Sequence, residues 1–265
     1  MATDTISSAV AAPLRAWVRV IATELAIVAL GVGAYLAVGA GSADRAGAAV
    51  TNARTLRSVE AAIGLNRENA LSTWWARDET RQAVANAYYV IGHFTVPFVV
   101  FGLLVLFRPD AYRRYRTAFV AASLIGVAVS WAWPTAPPRL VDGLPGAPVI
   151  AGAENAYAAF PSMHVGWAVW CALAVAAVTA RWWLRALAWL HAGATGLDVL
   201  VTGHHWLLDL AGGVAAALAA LAFAGFWQFG ELHHRTSPEV LTTDTRVSEV
   251  LRDSRGGESS NGDTA

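Results

Sequence analysis

Six apolar blocks, each close to the length of a bilayer crossing, leave this chain few ways to fold. They run over about 18–40, 84–107, 117–133, 163–180, 182–201 and 206–228, against the roughly 20 residues a spanning helix needs. The third and fourth fall short by this count and draw on flanking residues. Apolar residues make up 56% of the chain and charged residues 14%, with a mean hydropathy of +0.44, which places it in a bilayer. Aromatic anchors gather near the block ends, as they do at membrane interfaces: Trp17, Trp74, Trp75, Trp131, Trp133, Trp182, Trp183, Trp206 and Trp227. The expected fold is all-α: a polytopic membrane protein built as a six-transmembrane-helix bundle.

The first block follows Arg15 and Arg19 and is too long for a signal-peptide core, so it reads as a retained span. Cys171 is the only cysteine and falls inside a span, which rules out an internal disulfide. A net charge of zero gives no case for nucleic acid as a partner. The expected division is residues 1–82 as a first span plus an outer loop, 83–230 as a helical core, and 231–265 as a polar, disordered cytoplasmic tail.

Arginine placement sets the orientation. The 108–116 connection holds Arg108, Arg113, Arg114 and Arg116, and the turn at 181–185 holds Arg181 and Arg185. Short loops this basic belong on the cytoplasmic side, which puts both termini inside and loops 41–83, 134–162 and 202–205 outside a cell (plasma) membrane. The first outer loop carries Arg45, Arg54, Arg57, Arg67, Arg77 and Arg81, interspersed with Asp44, Glu60, Glu68, Asp78 and Glu79. Residues 52–82 read as one or two interfacial helices, with Leu56, Ala61, Ile63, Leu65, Leu71 and Trp74 as apolar contacts.

Three polar clusters collect on that outer face. Pro134-Thr135-Ala136-Pro137-Pro138-Arg139 follows the third span, Phe160-Pro161-Ser162-Met163-His164 opens the fourth, and Thr202-Gly203-His204-His205 opens the sixth. His205 and Asp209 are four apart, so on a helix they share a face. A carboxylate on one imidazole nitrogen leaves the other free as base or nucleophile. From His164 the chain crosses inward and returns, at about 30 Å per crossing, which brings His164 and His205 to one level. Thr202 and Gly203 suit a helix start that attracts an anion. Pro161 fits a first helical turn, and Ser162 adds a hydroxyl. Arg139 offers a planar fork suited to two phosphate oxygens.

At these residues the chain resembles a known family. Arg139 after Pro-Pro, Pro-Ser-Met-His at 161–164, and His205 with Asp209 resemble the three signature motifs of the type-2 phosphatidic acid phosphatase superfamily. The wording is most similar to the branch containing inositol phosphorylceramide synthases, over roughly residues 83–228. Two cations usual in the superfamily are missing. The position expected for a Lys is Trp131 or its neighbourhood, and that expected for an Arg is Val199. His204, Arg139 and outer-loop arginines are the candidate substitutes. The synthase branch tolerates both losses, which favours a diester or transferase over a monoesterase.

The resemblance implies that His205 attacks phosphorus to give a phosphohistidine, with Asp209 fixing its tautomer and His164 serving as acid and then base. Arg139, Ser162, Gly203 and His204 would bind the phosphate, with neither metal nor other cofactor. The implied partners are a phospholipid or polyprenyl-phosphate-type lipid, with inositol or another alcohol as acceptor.

The residues by themselves leave two other classes open. His164, His204, His205 and Asp209 would suffice for a zinc site, and a non-catalytic lipid-phosphate transporter or binder would need the same anion contacts. Structural roles are expected elsewhere: an interhelical hydrogen bond for His93, packing for His191, and close helix packing for Gly212 and Gly213. Glu24 and Asp198 should face protein or water, and Asp198 is placed to orient His204 or His205.

Overall fold

The computed structural model describes residues 2–65, 68–143 and 155–235. Its main helices are α1 (Ala2–Ala40), α2 (Ala46–Ala62), α3 (Glu68–Trp75), α4 (Glu79–Phe107), α5 (Pro109–Ala132), α6 (Pro138–Val141), α7 (Met163–Val178), α8 (Trp182–Val201) and α9 (Leu207–Arg235). The described residues contain no strand, so the all-α expectation holds. Among the described residues, four helical stretches are long and apolar enough to cross a membrane: Ile21–Ala40, Glu79–Phe107, Pro109–Ala132 and Leu207–Gln228. The other two expected blocks are helices as well. α7 has only 16 residues, and α8 has 20 but carries Arg185, His191 and Asp198. Residues 236–265 of the expected tail and 144–154 of the expected second outer loop lie outside the described residues.

The helix ends are written in local chemistry. Asp78 caps α4 by accepting from the Arg81 amide at 2.9 Å, and Pro109 opens α5, where a missing N–H costs nothing. Arg185 reaches back to the Thr179 and Ala176 carbonyls at 2.8 and 2.9 Å, satisfying acceptors at the end of α7.

α7 is the central helix, packed against α4, α5, α8 and α9. Its Trp170, Cys171, Ala172 and Ala174 are fully buried. Trp170 joins Val100 and Leu104 of α4, Ala118 of α5 and Leu221 and Ala224 of α9 in one cluster. The outward faces carry large apolar side chains instead, including Leu30, Phe98, Leu106 and Phe226, as a lipid-facing surface requires. α1 lies against α5, where Arg116 donates to Glu24 at 2.6 Å; the acid in the first span faces protein.

α7 and α9 touch through glycine. A Cβ on Gly213 would sit 2.1 Å from the Ser162 carbonyl oxygen, and one on Gly166 would sit 3.0 Å from the Gly213 carbonyl oxygen. The expected packing role of Gly213 is thus met, where the N-terminal turns of the two helices meet. α2 packs on α9 and α3 on α8. α2 buries Ala49, Ala53, Leu56 and Glu60, packing with Ala136, Ala159 and Trp206. Trp206 was expected as an interfacial anchor. It is fully buried instead, and its indole N–H donates to the Ala136 carbonyl at 2.9 Å.

Candidate active site

His205 sits in the short segment between α8 and α9. Its Nδ1 lies 2.7 Å from the Ala159 carbonyl oxygen and 3.3 Å from Asp209 Oδ2. A carbonyl only accepts, so Nδ1 carries the proton and Nε2 presents its lone pair. Asp209 therefore shares the task of fixing the tautomer with a backbone group that no motif could reveal. Ala159 is itself held in place: its amide donates to the Thr135 carbonyl at 3.1 Å, and the Thr135 amide donates to Tyr157 at 2.7 Å.

The lone pair of His205 faces His164, with Nε2 and Nδ1 3.2 Å apart. Helices α7 and α9 thus bring together the two imidazoles that sequence spacing placed at one level. The His164 ring lies 4.6 Å from the Tyr89 ring and 3.9 Å from His93, and His93 stacks on Trp167 at 4.7 Å. His93 enters the site by ring contact, in place of the hydrogen bond expected of it. Tyr89, which the sequence reading passed over, is four residues before His93 and so shares its face of α4; that spacing was the available signal. His191 lies apart, its Nδ1 2.7 Å from the Tyr88 hydroxyl and bridging α4 to α8.

Thr202 and Gly203 do not open a helix; they end one. The His204 amide donates to Val199 O at 3.0 Å and the Gly203 amide to Leu200 O at 3.1 Å, with Gly203 at φ +67°. This is the Schellman arrangement, in which glycine supplies the left-handed residue past a helix end. The Gly203 amide is therefore spent on α8. The Gly203 carbonyl in turn accepts from the Arg139 amide at 3.0 Å, which ties Arg139 to the histidine segment.

The first turn of α9 already holds two carboxyl groups, both belonging to the protein. Asp209 Oδ2 accepts from the Trp206 amide at 2.8 Å, and the buried Glu60 of α2 accepts from the Leu208 amide at 2.6 Å. The expected phosphate seat at this helix start is occupied by these two side chains. At α7, Ser162 is the N-cap, fully buried, with Oγ 3.5 Å from the Val165 amide. Its own amide donates to the Asp209 carbonyl at 2.9 Å, joining the two helix starts.

His204 is buried beside Arg139 and stacks on Tyr89 at 4.2 Å. Burial first, then the neighbouring Arg139 and His205, push its pKa down to about 2, so it stands neutral at working pH. Asp198 reaches it at second hand: its carbonyl accepts from Thr202 Oγ1 at 2.6 Å, and Thr202 Oγ1 lies 2.9 Å from His204 Nδ1.

Three of the candidate substitute arginines have partners of their own. Arg45 lies over Trp131, Arg57 pairs with Asp142 at 2.8 Å, and Arg81 lies over Trp74. Val199 is fully buried. Among the described residues, no three His, Cys, Asp or Glu side chains are grouped as a metal ion would require.

A sequence model described as the PAP2 superfamily matches residues 54–223. The chain is 28% identical over 168 residues to the inositol phosphorylceramide synthase of Candida albicans (strain SC5314 / ATCC MYA-2876), covering 52% of this chain and 35% of that protein. It is 26% identical over 169 residues to the inositol phosphorylceramide synthase catalytic subunit aur1 of Schizosaccharomyces pombe (strain 972 / ATCC 24843), covering 51% and 38%. The chain thus matches under two fifths of the length of either relative. No solved structure shows significant similarity to it.

Proposed function

The chain belongs to the PAP2 superfamily, and from that membership we propose that it is an integral membrane phosphotransferase acting on lipid phosphoesters through a phosphohistidine. The observation that carries this reading is the pairing of His205 and His164, with a bare Nε2 directed at a second imidazole 3.2 Å away.

In the proposed reaction the phosphoryl group enters between the two rings. The Nε2 lone pair of His205 forms the N–P bond as the bond from phosphorus to the leaving oxygen breaks. Because His205 Nε2 is an acceptor, His164 Nδ1 is the donor; with a second proton on its own Nε2, His164 passes the Nδ1 proton to the leaving oxygen and is left a neutral imidazole. The ring that becomes cationic is steadied by the Ala159 carbonyl and the Asp209 carboxylate on Nδ1. In the second step His164 Nδ1 takes the proton of an incoming hydroxyl, whose oxygen attacks phosphorus and releases Nε2. Arg139 grips the equatorial oxygens. Ser162 fixes the start of α7, and Gly203 holds Arg139 through its carbonyl.

Charge selects the substrate class. Arg139 is the cation beside a neutral His204, and Glu60, Asp198 and Asp209 are buried carboxyl groups. Such a site suits the single negative charge of a phosphodiester better than the double charge of a phosphomonoester. The substrate is therefore a phospholipid or polyprenyl-linked lipid diester, with inositol or another alcohol as acceptor. The lipid-facing helices and basic turns support six crossings (α1, α4, α5, α7, α8 and α9), cytoplasmic termini and a site at the outer face of the cell membrane, with α2 and α3 at the interface.

The test is to quench turnover of a labelled phospholipid in acid and in alkali. An acid-labile, alkali-stable protein label that disappears in His205→Ala is expected. Turnover that survives in His205→Ala would end the proposal.

A further inference from the structure

His204 was expected to bind phosphate, but its hydrogen-bond polarity points elsewhere. The Thr202 hydroxyl has one proton, and it goes to the Asp198 carbonyl at 2.6 Å, a group that can only accept. Thr202 Oγ1 can then meet His204 Nδ1, 2.9 Å away, only as an acceptor. Nδ1 therefore carries the ring proton, and Nε2 is a lone pair. That lone pair is buried and meets no hydrogen-bond donor among the described residues. An unsatisfied buried acceptor bears its full desolvation cost until a donor arrives. A phosphoryl oxygen offers no proton and would face the lone pair repulsively. Protonating His204 would cure this, but burial and the neighbouring Arg139 oppose the extra charge.

Position gives the lone pair a use. The Tyr89 ring lies 4.2 Å from His204 and 4.6 Å from His164, so His204 stands one aromatic ring away from the acid–base histidine. Resting on the phosphotransfer reading above, we propose that His204 Nε2 accepts a hydrogen bond from a hydroxyl of the substrate's polar part, a group other than the hydroxyl that reacts. His204 is then a specificity residue for polyhydroxylated groups. One hydroxyl exchanges its proton with His164 while another is held by His204. The held hydroxyl belongs either to the donor's head group or to the acceptor alcohol.

Two arms separate those sources, with probes matched in shape. In the acceptor arm, inositol and cyclohexanol compete for the phosphoryl group of a nitrophenyl phosphodiester. In the donor arm, phosphatidylinositol and phosphatidylcholine are compared in forming the phosphohistidine. The wild type should prefer the hydroxylated member in at least one arm. His204→Phe keeps a flat ring against Tyr89 and should cut that preference about tenfold, the worth of one hydrogen bond, while slowing the nitrophenyl burst far less. Thr202→Val keeps the imidazole but frees its tautomer, and should erode the same preference. Unchanged ratios in both variants, or a nitrophenyl burst that falls in step with them, would overturn the assignment. A normal burst with unchanged ratios removes this proposal alone, whereas a wild type that forms no phosphohistidine with any donor removes the phosphotransfer reading with it.

Discussion

His205 is oriented by two acceptors of different kinds, and they should fail differently. Asp209→Asn leaves the Ala159 carbonyl on Nδ1, so the tautomer survives and only the charge is lost. We expect kcat to fall about 10²–10³-fold, the range for removing one electrostatic stabiliser. That is milder than the roughly 10⁴-fold loss when a Ser-His-Asp triad takes the wrong tautomer. Single-turnover rates of phosphohistidine formation would check it, and a loss of 10⁴-fold or more would deny Ala159 this role. His204 offers a second residue-scale outcome. In the unfolded chain it takes a proton near its ordinary 6.5, but in the folded protein only near 2. Between those values the unfolded state binds more protons, so stability falls as pH drops below 6.5 and recovers above it. The detergent-solubilised wild type should therefore lose more Tm between pH 7.5 and pH 4.5 than His204→Gln does. At this scale the sequence was partly legible. The spacing of His205 and Asp209 brought the two side chains together although His205 precedes α9, because four residues apart is a local relation. The carbonyl of Ala159 is a backbone atom 46 residues away, and no side-chain pattern encodes it.

Helices set the distance between the two imidazoles, and the narrowest constraint is Gly213. An alanine there would drive its Cβ to 2.1 Å from the Ser162 carbonyl oxygen, which is backbone and cannot swing aside. The starts of α7 and α9 must then separate. Gly213→Ala should cut kcat on the order of 10²-fold, as about 1 Å of misplacement does. Gly193→Ala, which meets nothing within 4 Å, should change little. Phosphotransfer rates on equal amounts of folded protein would decide it. Each of the six apolar blocks falls on a helix, α1, α4, α5, α7, α8 or α9, because continuous hydrophobicity is a strong signal. The segment at 202–206 was read as a helix start because Thr-Gly fits a start by composition. What decided otherwise was glycine's left-handed backbone after Val201, which ends α8. Glu60 was counted only as a loop charge, since its partner, the Leu208 amide, lies 148 residues away.

At the scale of the molecule, one question is which end of the bundle faces out. Ser58 on α2 and Ala180 between α7 and α8 are both exposed, while the native Cys171 is buried. In intact cells a membrane-impermeant thiol reagent should label Ser58→Cys and spare Ala180→Cys, with both labelled after permeabilisation. The reverse pattern would invert the topology.

The charge of the proposed site would also govern what happens after catalysis. A pocket that grips phosphate with several cations risks being clogged by its own released anion. Here Arg139 is the cation beside a neutral His204, with Glu60, Asp198 and Asp209 buried as carboxyl groups, so on the proposed reading free inorganic phosphate, mostly a dianion at neutral pH, should be held weakly. Inhibition of transfer by phosphate or vanadate should then appear only at concentrations well above those at which the lipid diester saturates. Tight inhibition by either would mean that the pocket gathers more positive charge than Arg139 supplies. By the same reasoning, substrate-like inhibitors of this protein should carry one negative charge or none.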